Sequence, residues 1–299
     1  MSANIPTRSP LAQTEKISIT CTDGVFLSAV LCAPAQAHAA IMLSGGTGFK
    51  KEFYLPLANY LAEQGLATIV YDYRGTGESK PADMRQCSFS FLDYGQKDMP
   101  AVLDFLDARY PNLPKLILGH SAGGQQVGFM PNVHKVKGLV AIATSVGYLP
   151  YMPLGYRLKS YYFFYLFSPL SILLKGYVAA KRFKIMEDLP RKVVTQWRAW
   201  CSKPNYFFDS KFYGKSVPIG AFDQLPFPIH VFWATDDPIS NARSVPAFWD
   251  HVKSVAGLSF QVLRPEDWNT PKIDHYGVFR AQFKDSLWRE VLGAMQRML

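Results

Sequence analysis

Ser121 stands at the centre of Gly119-His120-Ser121-Ala122-Gly123, a G-x-S-x-G pentapeptide that follows the apolar run Lys115–Leu118. A serine hydroxyl is a weak nucleophile at neutral pH. It reacts when a base takes its proton and a third group holds that base in place. The pentapeptide has the form of a nucleophile elbow: a strand, a turn too tight for side chains at its flanks, then a helix, with the serine on the point of the turn. A helix starting behind Ser121 would aim backbone N–H groups and a partial positive charge at a developing oxyanion. An ordinary strand-to-helix turn can carry the same five residues, so the partners have to decide.

An elbow of this kind sets the chain order serine, acid, histidine, each on a loop after a strand. Of the six histidines, His38 precedes the third strand, and His120 adjoins the serine with its side chain expected to point elsewhere. His134 lies in a turn, His230 within a strand and His251 on a helix. His275, in Ile273-Asp274-His275-Tyr276-Gly277, is late, loop-borne and followed by a last helix, which makes it the expected base. Thr235-Asp236-Asp237-Pro238 directly follows a strand. Adjacent aspartates face different ways, so one of them can orient the imidazole. Asp237 is the expected one, with Asp236 the alternative, and Asp274 too close in sequence to reach around the ring of His275. For the oxyanion, one N–H would come from Ala122. The second would come from Ser44-Gly45-Gly46-Thr47-Gly48, with Gly46 expected and Thr47 the alternative. That loop lacks the Lys-Ser/Thr ending of a P-loop and the G-x-G-x-x-G spacing of a dinucleotide site.

The elements that must hold these residues alternate. Residues 16–21 and 25–33 are rich in β-formers and flank Thr22-Asp23-Gly24, a hairpin signal. Further strands are expected at 39–44, 67–71, 115–118, 137–144, 228–234 and 259–263. Helices are expected at 53–64, 93–108 and 286–298. Strands separated by helices of this length are βαβ units and imply a mostly parallel sheet covered on both faces. The rhythm breaks between about 148 and 220. There 161–174 is strongly apolar, too short to span a bilayer, and contains Pro169. The expected division is therefore an α/β core from 1–147 and 221–299 with an inserted helical lid at 148–220.

Composition narrows the function. The formal net charge is +9, yet no acidic residue occurs between Asp107 and Glu187, a stretch with ten Lys and Arg. The remainder is close to neutral. No helix-turn-helix, zinc-finger or RNA-binding signature accompanies the charge, so nucleic acid is excluded as the expected partner. An anionic membrane surface or an acidic substrate fits the charge, anionic membrane or acyl carriers fit the basic, aromatic insertion, and a merely solvated basic face is the plain alternative. Cys21, Cys32, Cys87 and Cys201 form no C-x-x-C pair and no Cys/His zinc spacing, so no metal or cofactor is expected. With no apolar run in residues 1–10, a cytoplasmic setting is expected.

Five segments in order carry a resemblance: Leu43-Ser44-Gly45-Gly46, Tyr71-Asp72-Tyr73-Arg74-Gly75-Thr76-Gly77-Glu78-Ser79, Gly119–Gly123, Thr235–Pro238 and Asp274–Gly277. Together they resemble the α/β-hydrolase family from about residue 16 to the end, the insertion excepted. Gly119–Gln125, Glu187-Asp188-Leu189-Pro190 and Trp197-Arg198-Ala199-Trp200-Cys201 further resemble a bacterial subgroup of predicted hydrolases. One departure is Ser44, which stands where many members carry histidine. A serine nucleophile separates the chain from haloalkane dehalogenases and epoxide hydrolases, which use aspartate. The expected function is hydrolysis of carboxylic esters or thioesters of a small acyl substrate through Ser121, Asp237 and His275. The alternatives are an amide or peptide hydrolase or an acyltransferase with the same triad, or a non-catalytic lipid- or ligand-binding scaffold. Acyl length, leaving group and oligomeric state stay open at this level.

Overall fold

The turn Thr22-Asp23-Gly24, with Gly24 at φ 80°, folds β1 (Gln13–Thr20) back on β2 (Phe26–Ala33) in unbroken antiparallel register. This computed structural model describes residues 13–299, so the N-terminal decapeptide read above lies outside the described residues. The next strands are β3 (Ala39–Ser44), β4 (Leu66–Tyr71), β5 (Lys115–His120), β6 (Val136–Ile142), β7 (Ile229–Ala234) and β8 (Leu258–Leu263). They form one sheet in the order β1-β2-β4-β3-β5-β6-β7-β8, parallel from β4 to β8 with the hairpin as an antiparallel edge.

Helices α1 (Leu55–Glu63), α2 (Met99–Arg109) and the one-turn α3 (Ala122–Gln125) fall between early strands. α4 (Leu154–Tyr161), α5 (Ser168–Lys175) and α6 (Arg191–Cys201) lie between β6 and β7, followed by α7 (Ser244–Trp249) and α8 (Leu287–Gln296). Strand side chains alternate between two cores. In β3, Ala40 and Met42 face the core that holds Val102 and Leu106 of α2 and Phe248 of α7. Ala39, Ile41 and Leu43 face the core that holds Leu57 and Leu61 of α1 and Trp288 and Val291 of α8. Burial on both faces is why these strands read as continuous apolar runs.

Helix starts differ from the sequence expectation in a consistent way. The helix expected from residue 53 opens as a 3-10 turn (Lys51–Tyr54), and the one expected from 93 opens as a wide π turn (Tyr94–Asp98). In both, a proline sits in the first turn of the α-helix that follows, Pro56 and Pro100. A residue without an N–H suits a first turn, not an interior, so the regular helix starts there. In the insertion, α4, a wide turn (Tyr162–Phe167) and α5 run as one helical rod from 154 to 175, with Pro169 in the first turn of α5. No helix among the described residues is long and apolar enough to cross a membrane. All four cysteines are free thiols.

Candidate active site

Because β3 to β8 run parallel apart from the hairpin, their carboxyl ends open on one edge of the sheet. The loops after β3, β5, β7 and β8 bring Thr47, Ser121, Asp237 and His275 to that edge. Ser121 has φ 50° and ψ −111°, a conformation an L-residue holds only under constraint. Its N–H continues the β5–β6 ladder to the Ile142 carbonyl at 2.9 Å. Its own carbonyl accepts from Gly124 N, Gln125 N and Thr144 Oγ1. The flanking glycines are required by contact. A Cβ on Gly119 would lie 2.6 Å from Gly124 N, and one on Gly123 would lie 2.0 Å from the Ser44 carbonyl oxygen.

The helix expected behind Ser121 is a single turn. It passes into a 3-10 turn at Val127–Phe129 and stops before Pro131. Gly123 and Gly124 are poor helix formers held here for their lack of bulk. A helix this short carries little macrodipole, so the expectation of a dipole-assisted oxyanion site is corrected. What α3 offers is the individual N–H of Ala122.

Asp237 Oδ2 lies 2.7 Å from His275 Nδ1, and Asp237 Oδ1 accepts from Ile239 N at 2.7 Å and Ser240 N at 3.0 Å. A carboxylate only accepts, so Nδ1–H donates, and Nε2 is the nitrogen left facing away from the acid. The neighbouring Asp236 does a different job. It accepts from Ile273 N (2.9 Å) and Asp274 N (3.0 Å), pinning the loop that carries the histidine. Asp274, at φ 54°, accepts from Tyr276 N and Gly277 N and pairs with Lys272 and Arg280. Ser121 and His275 line one cavity of about 660 Å³. Among the described residues neither Ser121 Oγ nor His275 Nε2 has a hydrogen-bond partner.

The two candidate donors of the glycine loop differ in what they bind. Gly46 N–H already donates to the Tyr54 hydroxyl at 2.8 Å, whereas Thr47 lines the cavity with Ser121 and its N–H has no partner among the described residues. The alternative position, Thr47, therefore has the free donor. The reason lies in a chain of bonds that runs through His120. A backbone carbonyl can only accept, so His120 Nε2–H donates to the His275 carbonyl at 3.0 Å. Nδ1 is then the acceptor for the Tyr54 hydroxyl at 2.7 Å, and the Tyr54 oxygen accepts from Gly46. Burial and the nearby His275 ring hold His120 well below the usual imidazole range, which keeps it neutral as this tautomer requires. His120 thus links the glycine loop to the histidine loop, instead of pointing away from the site. Its one sequence signal was its place on the residue before the nucleophile, where the strand alternation turns it toward α1. Ser44, the departure noted above, hydrogen-bonds the Tyr71 hydroxyl at 2.8 Å.

The Asp72–Ser79 segment is fastened by buried ion pairs. Buried Lys51 places its ammonium 2.8 Å from Asp72, 2.7 Å from Glu78 and 3.1 Å from Glu52, which accounts for the gathering of these three acids. Arg74 pairs with Asp98 and Asp23 at the other end of the segment.

The chain can be compared with known proteins on this footing. A family model described as "Serine aminopeptidase, S33" matches residues 35–193, more than half of the chain. Mouse "Phospholipase ABHD3" is 26% identical over 230 residues, covering 69% of this chain and 52% of that protein. "Uncharacterized protein YfhR" of Salmonella typhimurium is 28% identical over 123 residues, covering 39% and 40%. The chain thus spans about half the length, or less, of these curated relatives. Among solved structures, an esterase of Pyrococcus furiosus superposes with TM-score 0.61 at 17% identity, covering 96% of this chain and 91% of that one. DcsB in complex with its substrate analogue gives 0.63 at 16%, covering 96% and 98%. A carboxyl esterase of Bacillus coagulans gives 0.60 at 13%, covering 95% and 98%. With a matching family model over more than half of the chain and this fold over nearly the whole length, the chain belongs to the α/β-hydrolase family, in the group described as serine aminopeptidase S33.

Proposed function

We propose that the protein is a serine hydrolase of carboxylic esters or thioesters. The observation that carries this reading is the Asp237–His275 contact of 2.7 Å, set beside a strained Ser121 on the wall of the same cavity. Ser121 Oγ attacks the acyl carbon while His275 Nε2 takes its proton. Asp237 stabilises the imidazolium through Nδ1–H, and the oxyanion is held by the N–H groups of Ala122 and Thr47. His275 then returns the proton to the leaving alcohol or thiol. A water molecule, deprotonated by the same nitrogen, releases the acyl group and restores Ser121. The insertion acts as a lid, contributing Phe163, Phe164 and Trp197 to an apolar wall suited to the acyl chain.

Aminopeptidase chemistry, which the family description names, needs a free carboxylate for the substrate's ammonium group. The acids beside this cavity are Glu52 and Glu187; Glu52 pairs with Lys51 at 3.1 Å, and Glu187 has Lys80 and Lys181 each at 3.4 Å, although its Oε2 makes no hydrogen bond among the described residues. Lys50, Lys159 and Lys184 stand at the same cavity and would repel an amino terminus. Esters are favoured over aminoacyl amides for that reason. A fluorophosphonate probe followed by peptide mass spectrometry should label Ser121. Ser121→Ala should lower turnover of short- and medium-chain aryl esters by roughly 10⁶-fold. A folded protein whose Ser121 stays unlabelled, or one that cleaves aminoacyl amides faster than esters, would refute the reading.

A further inference from the structure

The rod formed by α4, the wide turn and α5 is apolar on its exposed face as well as on its buried one. Its inward stripe buries Phe163 and Phe164 together with two serines, Ser168 and Ser171. Its outward stripe carries Leu158, Leu166, Leu170, Leu173 and Leu174. Leu173 is 81% and Leu174 69% exposed, whereas Ser168 is 1% exposed. Tyr161, Tyr162 and Tyr165 share the outer face, and Phe183 and Ile185 stand exposed in the next segment. A helix built for water would place its serines outside and its leucines inside. Over 22 residues the exposed row is roughly 30 Å long, too extended to be the scattered apolar residue of an ordinary surface.

Charge says what covers it. Arg157, Lys159, Lys175, Arg182 and Lys184 belong to the rod or the segment after it, and none has an acidic partner among the described residues. Acidic side chains are missing from the sequence between Asp107 and Glu187. Two copies meeting through this face would set these cations against each other, which disfavours a self-complementary dimer. Leucine and tyrosine on one side of a helix, flanked by unpaired cations, fit the headgroup–acyl boundary of an anionic bilayer.

We propose that this face docks on an anionic lipid bilayer without spanning it. Leucines and tyrosines enter the interface, and the cations meet lipid phosphates. Tyr156, Lys159 and Ser160 of the same rod line the cavity that holds Ser121, so docking turns the cavity mouth toward the lipid. The docking stands apart from the esterase reading, since vesicle binding is measured without turnover and fluorophosphonate labelling without vesicles.

The test is co-sedimentation of the full chain with vesicles of phosphatidylcholine alone and with 30% phosphatidylglycerol (about that fraction suffices to set the surface potential). Binding is expected to the anionic vesicles, to fall at high salt, and to be weak on phosphatidylcholine. Leu173→Glu/Leu174→Glu and Lys175→Glu/Arg182→Glu change exposed positions away from the cavity lining. Each pair should lower the partition coefficient at least ~10-fold with the thermal midpoint retained. Equal binding to both vesicle types, no binding, or binding indifferent to both variants would overturn the proposal. So would a dimer in sedimentation velocity that the leucine variant dissociates.

Discussion

At the scale of single residues, Tyr54 and His120 are positioning groups whose worth can be measured. The Tyr54 hydroxyl takes the Gly46 N–H and gives its own proton to His120, all inside the protein. Tyr54→Phe keeps the ring and orphans two buried polar groups. A buried group left without its partner costs about 1–3 kcal/mol, so a loss of roughly 2 kcal/mol or more is expected in urea unfolding. Under the proposed function the same change loosens the loop that presents Thr47. It should lower kcat about 10- to 100-fold while KM moves little, as expected for a contact expressed in the transition state. A stability loss with kcat untouched would show the hydroxyl to be structural alone.

At the scale of elements, the elbow depends on how closely β3, β5 and α3 approach. A Cβ on Gly123 would meet the Ser44 carbonyl at 2.0 Å, and backbone cannot swing aside as a side chain can. Gly24, by contrast, has φ 80° but nothing within 4 Å. Gly24→Ala is expected to cost ~1 kcal/mol of backbone strain. Gly123→Ala should cost more, about 1–3 kcal/mol from overpacking, and also abolish fluorophosphonate labelling, because relief requires β3 or α3 to move. Comparable unfolding midpoints for the two variants would contradict this.

The same elements show what a sequence can and cannot disclose. Runs such as Ala39–Ser44 and Leu66–Tyr71 were legible because burial on both faces removes polar residues from the strand. The preference for Asp237 over Asp236 rested on local order, and the structure brings Asp237 to His275. That the Gly46 N–H is taken by a hydroxyl is not legible, because α1 packing delivers Tyr54 from outside the loop, a tertiary event with no mark in Ser44–Gly48. The outward leucines of α5 were legible as an apolar run, but nothing in their spacing says which stripe faces water.

At the scale of the whole molecule, the buried imidazole at the centre of the site makes stability depend on pH. Burial, then the neighbouring His275, holds His120 well below 6.5, so the folded protein keeps it neutral while the unfolded chain protonates it. A histidine depressed in this way contributes stability that is present above pH ~6.5 and is lost as pH falls below it. The slope is about 1.4 kcal/mol per pH unit for one proton taken up on unfolding. His230 and His251, also lowered by burial, add the same sign more weakly because they are less enclosed. Asp98 acts in the opposite direction over part of this range, since its burial pushes the carboxyl up to about 7 against the pull of Arg74. These other groups are common to wild type and His120→Gln, so the difference between the two isolates His120. Urea unfolding free energies at pH 7.5 and at pH 5.5 should fall more steeply for wild type than for the variant, by roughly 1 kcal/mol over the interval. Equal slopes would mean that the ring takes a proton in the folded protein and that the Tyr54–His120–His275 chain rearranges to accept it.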